Sequence, residues 1–184
     1  MDFQPDKDMK IAGNHPSVDV AKNRNEKNET ESVLPPEEVK KAKQLGKRIA
    51  ECFIADAERI EQDDNGGDFE MMLQRRLLLS FTATVGFEQY CRNDALAGIA
   101  QKSFLDTLKK ADGELYQSSS DTGAFSFYYL AYRRGSEIDR RMGQTFAMLC
   151  SHDGDPIFQE LGEALYCWFS SQVKNAARDL GLEA

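Results

Sequence analysis

The chain has 184 residues, of which 23 are Lys or Arg and 31 are Asp or Glu, so its formal net charge is −8. An acidic chain is a poor match for the phosphate backbone, and this charge argues against nucleic acid as a partner. Hydrophobic residues make up 41% and charged residues 29% of the sequence, which is typical of one soluble globular domain with an unstructured addition.

Targeting signals and cysteine spacing indicate where the protein is located and whether it binds a metal. No apolar run approaches the ~20 residues of a membrane-spanning helix, and the first residues lack the basic-then-apolar order of a signal peptide. We therefore expect a cytoplasmic protein without a membrane partner. Cys52, Cys91, Cys150 and Cys167 show no CxxC spacing and lie within apolar, helix-like segments. This pattern favours buried thiols over disulfides or zinc ligands, and we expect neither a metal nor a cofactor.

The first 34 residues differ in composition from the rest of the chain. They contain one aromatic side chain of the Phe, Trp or Tyr type, Phe3, and are rich in Asp, Lys, Asn and Glu. Such a segment cannot bury enough apolar surface to offset the entropy of ordering. The sequence therefore predicts a disordered polar tail over residues 1–34 and a single α-helical domain over residues 35–184.

The first helix is predicted to begin within residues 34–38 and to run to about Gln62. Pro36, Glu37 and Glu38 suit a first turn, where a missing N–H is tolerated and negative charge is favoured. Apolar side chains then recur at helical spacing, at Val39, Ala42, Leu45, Ile49, Phe53, Ala57 and Ile60. The turn-forming run at 63–68 ends this helix and offers Asp68 as the N-cap of a second helix that reaches about Tyr90.

The remaining helices are separated by loop and cap signals. Asn93 or Asp94 caps a third helix, and residues 118–121 indicate a loop followed by a cap. Gly135 and Ser136 separate the next two helices, with Ser136 as the N-cap of the second. The last helix begins at Asp155-Pro156 and ends at Leu180-Gly181. Since no segment alternates with period two for long enough to form a strand, the predicted fold is all-α, a compact bundle of five to seven helices.

The second helix is apolar around nearly its whole circumference, which is typical of a central helix. A polar seam nevertheless runs along it, because Arg76, Ser80 and Thr84 follow each other at i, i+4 and i+8. A guanidinium buried without compensation costs several kcal/mol. Either a partner within the fold or solvent meets Arg76, or the seam lines a polar cavity that holds a ligand. The sequence leaves both alternatives open.

Residues 123–149 concentrate aromatic rings and arginines. In the helix before Gly135, one face carries Phe125, Tyr128, Tyr129 and Tyr132, and the opposite face carries Phe127, Leu130 and Ala131. This pattern predicts a helix that is covered on two sides. Arg134 lies in its last turn, where a cation complements the free carbonyls. The alternative is an anion site in which arginines and tyrosine hydroxyls bind a carboxylate or phosphate group.

Signatures of common catalytic sites are absent from the sequence, which has two histidines and no HExxH or GxSxG motif. Apolar residues on more than one face of at least two helices favour self-association. We therefore predict a non-enzymatic protein-interaction or regulatory module that forms a homodimer or binds a protein partner. The alternative is a binding protein for a small anionic ligand, or a small enzyme, with an Arg- and Tyr-lined pocket. The candidate ligand-binding residues are Arg76, Ser80, Thr84, Tyr128, Tyr132 and Arg134, and no catalytic residue is identified.

Overall fold

The computed structural model describes residues 34–63, 69–120, 123 and 125–183. Within these ranges the chain forms seven α-helices and no strand: α1 (Pro36–Asp63), α2 (Phe69–Tyr90), α3 (Asp94–Ala111), α4 (Gly113–Ser120), α5 (Ser126–Tyr132), α6 (Ile138–Leu149) and α7 (Pro156–Asp179). The predicted all-α bundle is confirmed. Apart from Leu34, the predicted disordered tail lies outside the described residues.

Several helix boundaries follow directly from local side-chain chemistry. Asn93 accepts a hydrogen bond from the Leu96 N–H at 2.9 Å and so caps α3. Asp155 caps α7 by accepting from the Ile157 N–H at 2.8 Å. Gly181, just beyond α7, has a φ of +65°, the left-handed conformation that commonly ends a helix. These boundaries agree with those predicted from the sequence.

Two other predicted boundaries are wrong. Residues 118–120 continue α4 instead of forming a loop, and the Ser118 hydroxyl donates to the Glu114 carbonyl one turn earlier. Ser136 is not the cap of α6, because Glu137 occupies that position without a side-chain capping bond. The Ser136 hydroxyl instead accepts a hydrogen bond from Arg141 at 3.2 Å. In both places the serine hydroxyl is hydrogen-bonded to a group other than the backbone N–H that a capping residue engages.

The second helix is central, as predicted. Eleven residues of α2 between Gln74 and Phe87 are buried. Four of the other helices form two closely packed pairs, α1 with α3 and α6 with α7, and α2 contacts members of both pairs. Its apolar circumference therefore serves as the shared core of the bundle.

Glycines allow the backbones of the paired helices to touch. A Cβ placed on Gly46 in α1 would overlap the carbonyl oxygen of Ala100 and lie 2.8 Å from the amide nitrogen of Phe104, both in α3. A Cβ on Gly143 in α6 would overlap the carbonyl oxygen of Gln159 in α7. Only glycine fits where helices approach this closely.

The four cysteines lie in different environments. Cys91 and Cys150 are buried, as predicted, and Cys52 is half-buried. The prediction is wrong for Cys167, which lies on the exposed side of α7. None of the described helices is both long enough and apolar enough to cross a membrane.

Burial of Cys91 makes the stability of the fold sensitive to alkaline pH. Desolvation raises the pKa of this thiol from 9.0 to about 11, and burial also raises the pKa of Tyr128 and of Tyr166. The unfolded chain then ionises first, so the stabilising contribution is complete below pH 9 and is lost as the pH rises through about 11. We expect the urea midpoint, measured with reductant present, to fall over this interval and to fall less in Cys91→Ala. An identical fall in the variant would contradict this role.

Candidate interaction surface at α5

The short helix α5 packs on α6 and contacts one aromatic residue of α2, Phe81. The fully buried ring of Phe81 contacts four rings of the segment 125–132: Phe125, Tyr128, Tyr129 and Tyr132, at centroid separations of 5.8, 5.7, 6.0 and 6.1 Å. Each such contact contributes roughly 0.5–1.5 kcal/mol beyond area burial. The face of α5 predicted to carry these four rings is therefore the face that packs on the bundle, with Tyr129 at its edge and 44% exposed.

The opposite face of α5 is open. Phe127 is 53% and Leu130 is 63% exposed, and of the three apolar residues expected there only Ala131 is buried. The prediction that this helix is covered on two sides is wrong for Phe127 and Leu130, because α5 lies in the outer layer and its packed face is the one on Phe81. Isolated exposed apolar residues are common, but two neighbours on one helical face form a patch.

A charged corner follows the patch. Arg133 and Arg134 directly follow α5 and are exposed. Glu137 and Asp139, at the start of α6, are also exposed. We define the α5 surface as Phe127, Leu130, Arg133, Arg134, Glu137 and Asp139.

The backbone at this corner is strained. Glu137 has a φ of +48°, in the left-handed region that costs a residue with a side chain roughly 1–2 kcal/mol. Its carboxylate lies 3.6 Å from the guanidinium of Arg140, and both side chains are largely exposed. Such an exposed pair contributes little to stability. Strain that the fold maintains at an exposed corner is typical of functional positions.

Arg75 of α2, next to the predicted Arg76, meets an internal carboxylate. Asp56 of α1 accepts hydrogen bonds from Arg75 Nε at 2.9 Å and Nη2 at 2.8 Å, and from Arg59 Nη2 at 3.3 Å. The Asp56 side chain is 4% exposed and that of Arg75 14%. Asp56 lies on the apolar stripe of α1, one turn after Phe53, and an acid in that position was the sequence signal for this pair.

The six candidate ligand-binding residues are distributed over several places. Arg76 is half-buried in a cleft beside Asp56 whose volume of about 10 Å³ suits a single water molecule. The Ser80 hydroxyl donates to the Ser119 hydroxyl at 2.7 Å, joining α2 to α4. Thr84 lines a different groove, between α2 and α3. The polar seam therefore borders two separate cavities.

The other three candidates lie at α5. Tyr128 is fully buried, and its hydroxyl forms no hydrogen bond with any described residue. Tyr132 is half-buried against Phe81, while Arg134 is exposed. The Arg- and Tyr-lined pocket for an anionic ligand stays a prediction.

Neither metal-binding side chains nor similarity to known proteins identifies a further site among the described residues. Among the described residues, His, Cys, Asp and Glu side chains do not gather in groups of three or more that could hold a metal ion. Comparisons of the chain with protein-family models, curated proteins and solved structures found no match. The function of the α5 surface is therefore inferred from its own residues. Exposed apolar side chains favour burial against a partner, and charged side chains fix the orientation in which that partner binds.

Proposed function

We propose that the protein is a non-enzymatic interaction module that self-associates through the α5 surface. The observation that supports this proposal is the exposure of Phe127 and Leu130 on the face of α5 opposite Phe81. Removing apolar surface from water contributes roughly 25 cal/mol per Å². A second copy of the chain that covers these side chains would bury the face of α5 that its own bundle leaves exposed.

Charge complementarity favours a second copy as the partner. In a two-fold interface the same patch is used by both subunits, so the patch must complement itself. The α5 surface carries both signs, with Arg133 and Arg134 followed closely by Glu137 and Asp139. A two-fold arrangement that packs the apolar side chains together would bring the arginines of one copy to the carboxylates of the other.

The association should be weak. A stable interface buries about 800 Å² per partner, and α5 has only seven residues. Two copies with a net charge of −8 each also repel one another at long range. We therefore expect dissociation constants in the micromolar range or weaker, with tighter association at moderate salt, which screens the long-range repulsion.

Sedimentation from micromolar to near-millimolar concentration tests the apolar part of the surface. We expect the average mass of the parent to rise with concentration, and the double variant Phe127→Ser with Leu130→Ser to remain monomeric. The matched control is Phe69→Ser with Ile157→Ser, which removes two apolar side chains that are each 73% exposed but lie outside the α5 surface. A monomeric parent, or a control that loses association equally, would overturn the proposal.

A charge-reversal pair tests the two-fold arrangement. One variant carries Arg133→Glu and Arg134→Glu, and the other carries Glu137→Arg and Asp139→Arg. Each corner then bears a single sign, so neither variant should associate with itself, whereas an equimolar mixture should form a heterodimer. If the mixture remains monomeric while the parent associates, the second copy is bound in some other way.

A further inference from the structure

A groove of about 440 Å³ lies between the second half of α2 and the first half of α3, on residues outside the α5 surface. Its volume is within the range of small-molecule sites, roughly 300–1,000 Å³. Arg92, in the turn that joins the two helices, donates to the Gly181 carbonyl at 2.7 Å and pairs with Glu38 at 3.0 Å. The turn is thereby fixed to both α1 and the end of α7, and the groove is preformed.

Most of the side-chain polar atoms around this groove are hydrogen-bond acceptors, the exception being the amide nitrogen of Gln101. Glu88 and Asp94 contribute exposed carboxylates. The Oε1 atom of Gln101 is buried and accepts no hydrogen bond from a described residue. The hydroxyl of Thr84 donates its proton to the Ser80 carbonyl at 3.0 Å, so towards a ligand it can only accept. A ligand that matches these groups carries positive charge and several N–H donors.

The groove also has open space above an apolar base. Phe87 and Ala97 line it and are buried. A Cβ placed on Gly98, between Ala97 and Gln101 on α3, would meet no heavy atom within 4 Å. Short methylene segments can therefore occupy this open space while the charged groups reach the carboxylates.

We propose that this groove binds an aliphatic polyamine. Its ammonium groups pair with Glu88 and Asp94 and donate to Gln101 Oε1, and its methylene segments lie in the open space beside Gly98. This assignment is independent of self-association through α5, because the two sites share no residue.

Calorimetric titration with spermidine tests the proposal. We expect saturable binding of one spermidine per chain, and the double variant Glu88→Gln with Asp94→Asn should weaken it by about tenfold or more. The matched control, Glu51→Gln with Asp106→Asn, removes two exposed carboxylates from the same bundle outside the groove. This control should bind spermidine as the parent does. Equal loss in both double variants would show unspecific attraction to an acidic protein and overturn the proposal.

A bulky substitution tests whether binding requires the open space of the groove as well as its carboxylates. Gly98→Phe adds a ring where the structure leaves open space, so the fold should be retained, as circular dichroism would verify. We expect this variant to lose spermidine binding although every carboxylate remains. Undiminished binding in folded Gly98→Phe, or no saturable binding to the parent, would overturn the proposal.

Discussion

Replacement of Asp56 by alanine should lower the free energy of unfolding by about 3 kcal/mol. The variant leaves the guanidinium of Arg75, whose side chain is 14% exposed, without its bidentate partner. A charge that is removed from water and unpaired costs more than the pair itself contributes. Urea unfolding at neutral pH measures this change directly.

Two comparison variants isolate the cause. Glu51→Ala removes an exposed acid from the same helix, one that lies 3.6 Å from Lys47, and should cost less than about 1 kcal/mol. The double variant Asp56→Leu with Arg75→Met removes both charges and should recover most of the loss. If the double variant is no more stable than Asp56→Ala, burial of an unpaired arginine is not the reason for the loss.

The second large effect is expected at the contact between α1 and α3, where Gly46→Ala should lower the free energy of unfolding by about 2 kcal/mol. The added methyl group would overlap the carbonyl oxygen of Ala100, so the helices must separate or shift along each other. The better helix propensity of alanine offsets only part of this cost.

The same substitution at Gly98 should change the free energy of unfolding in the opposite direction. Gly98 is also a helical glycine, but its Cβ would meet no heavy atom within 4 Å. The variant should therefore be more stable than the parent by about 0.5–1 kcal/mol, which is the gain from helix propensity alone. Equal effects of the two substitutions on the urea midpoint would contradict the close approach at Gly46.

The features that the sequence predicts well depend on neighbours within one helical turn. Asn93 and Asp155 cap their helices through bonds to backbone N–H groups two or three residues away. Glu137 illustrates the limit of such reasoning. A serine at position 136 is a good cap by preference, but Arg141 engages its hydroxyl and the backbone at 137 turns left-handed.

The candidate sites depend on contacts that span much more of the chain. A helical wheel identifies two apolar faces on α5, yet packing against α6 and against Phe81, more than 40 residues earlier, decides which face is buried. Similarly, Asp56 and Arg75 meet across α1 and α2, and the wheel of α2 alone indicates Arg76 as readily as Arg75. The sequence therefore predicts the kinds of groups present, while helix packing decides their partners.

The attachment of α5 through Phe81 links local unfolding to assembly. A helix of seven residues is unstable in water by itself, so α5 stays helical only through its contacts with the bundle. Its amide hydrogens should exchange with solvent through a local opening that breaks the Phe81 contacts, whereas those in the middle of α2 require unfolding of the bundle. A second copy on the outer face would hold α5 closed from the other side. Amide protection in α5 would then rise with protein concentration, and the bound state would be the one in which this helix is fully formed.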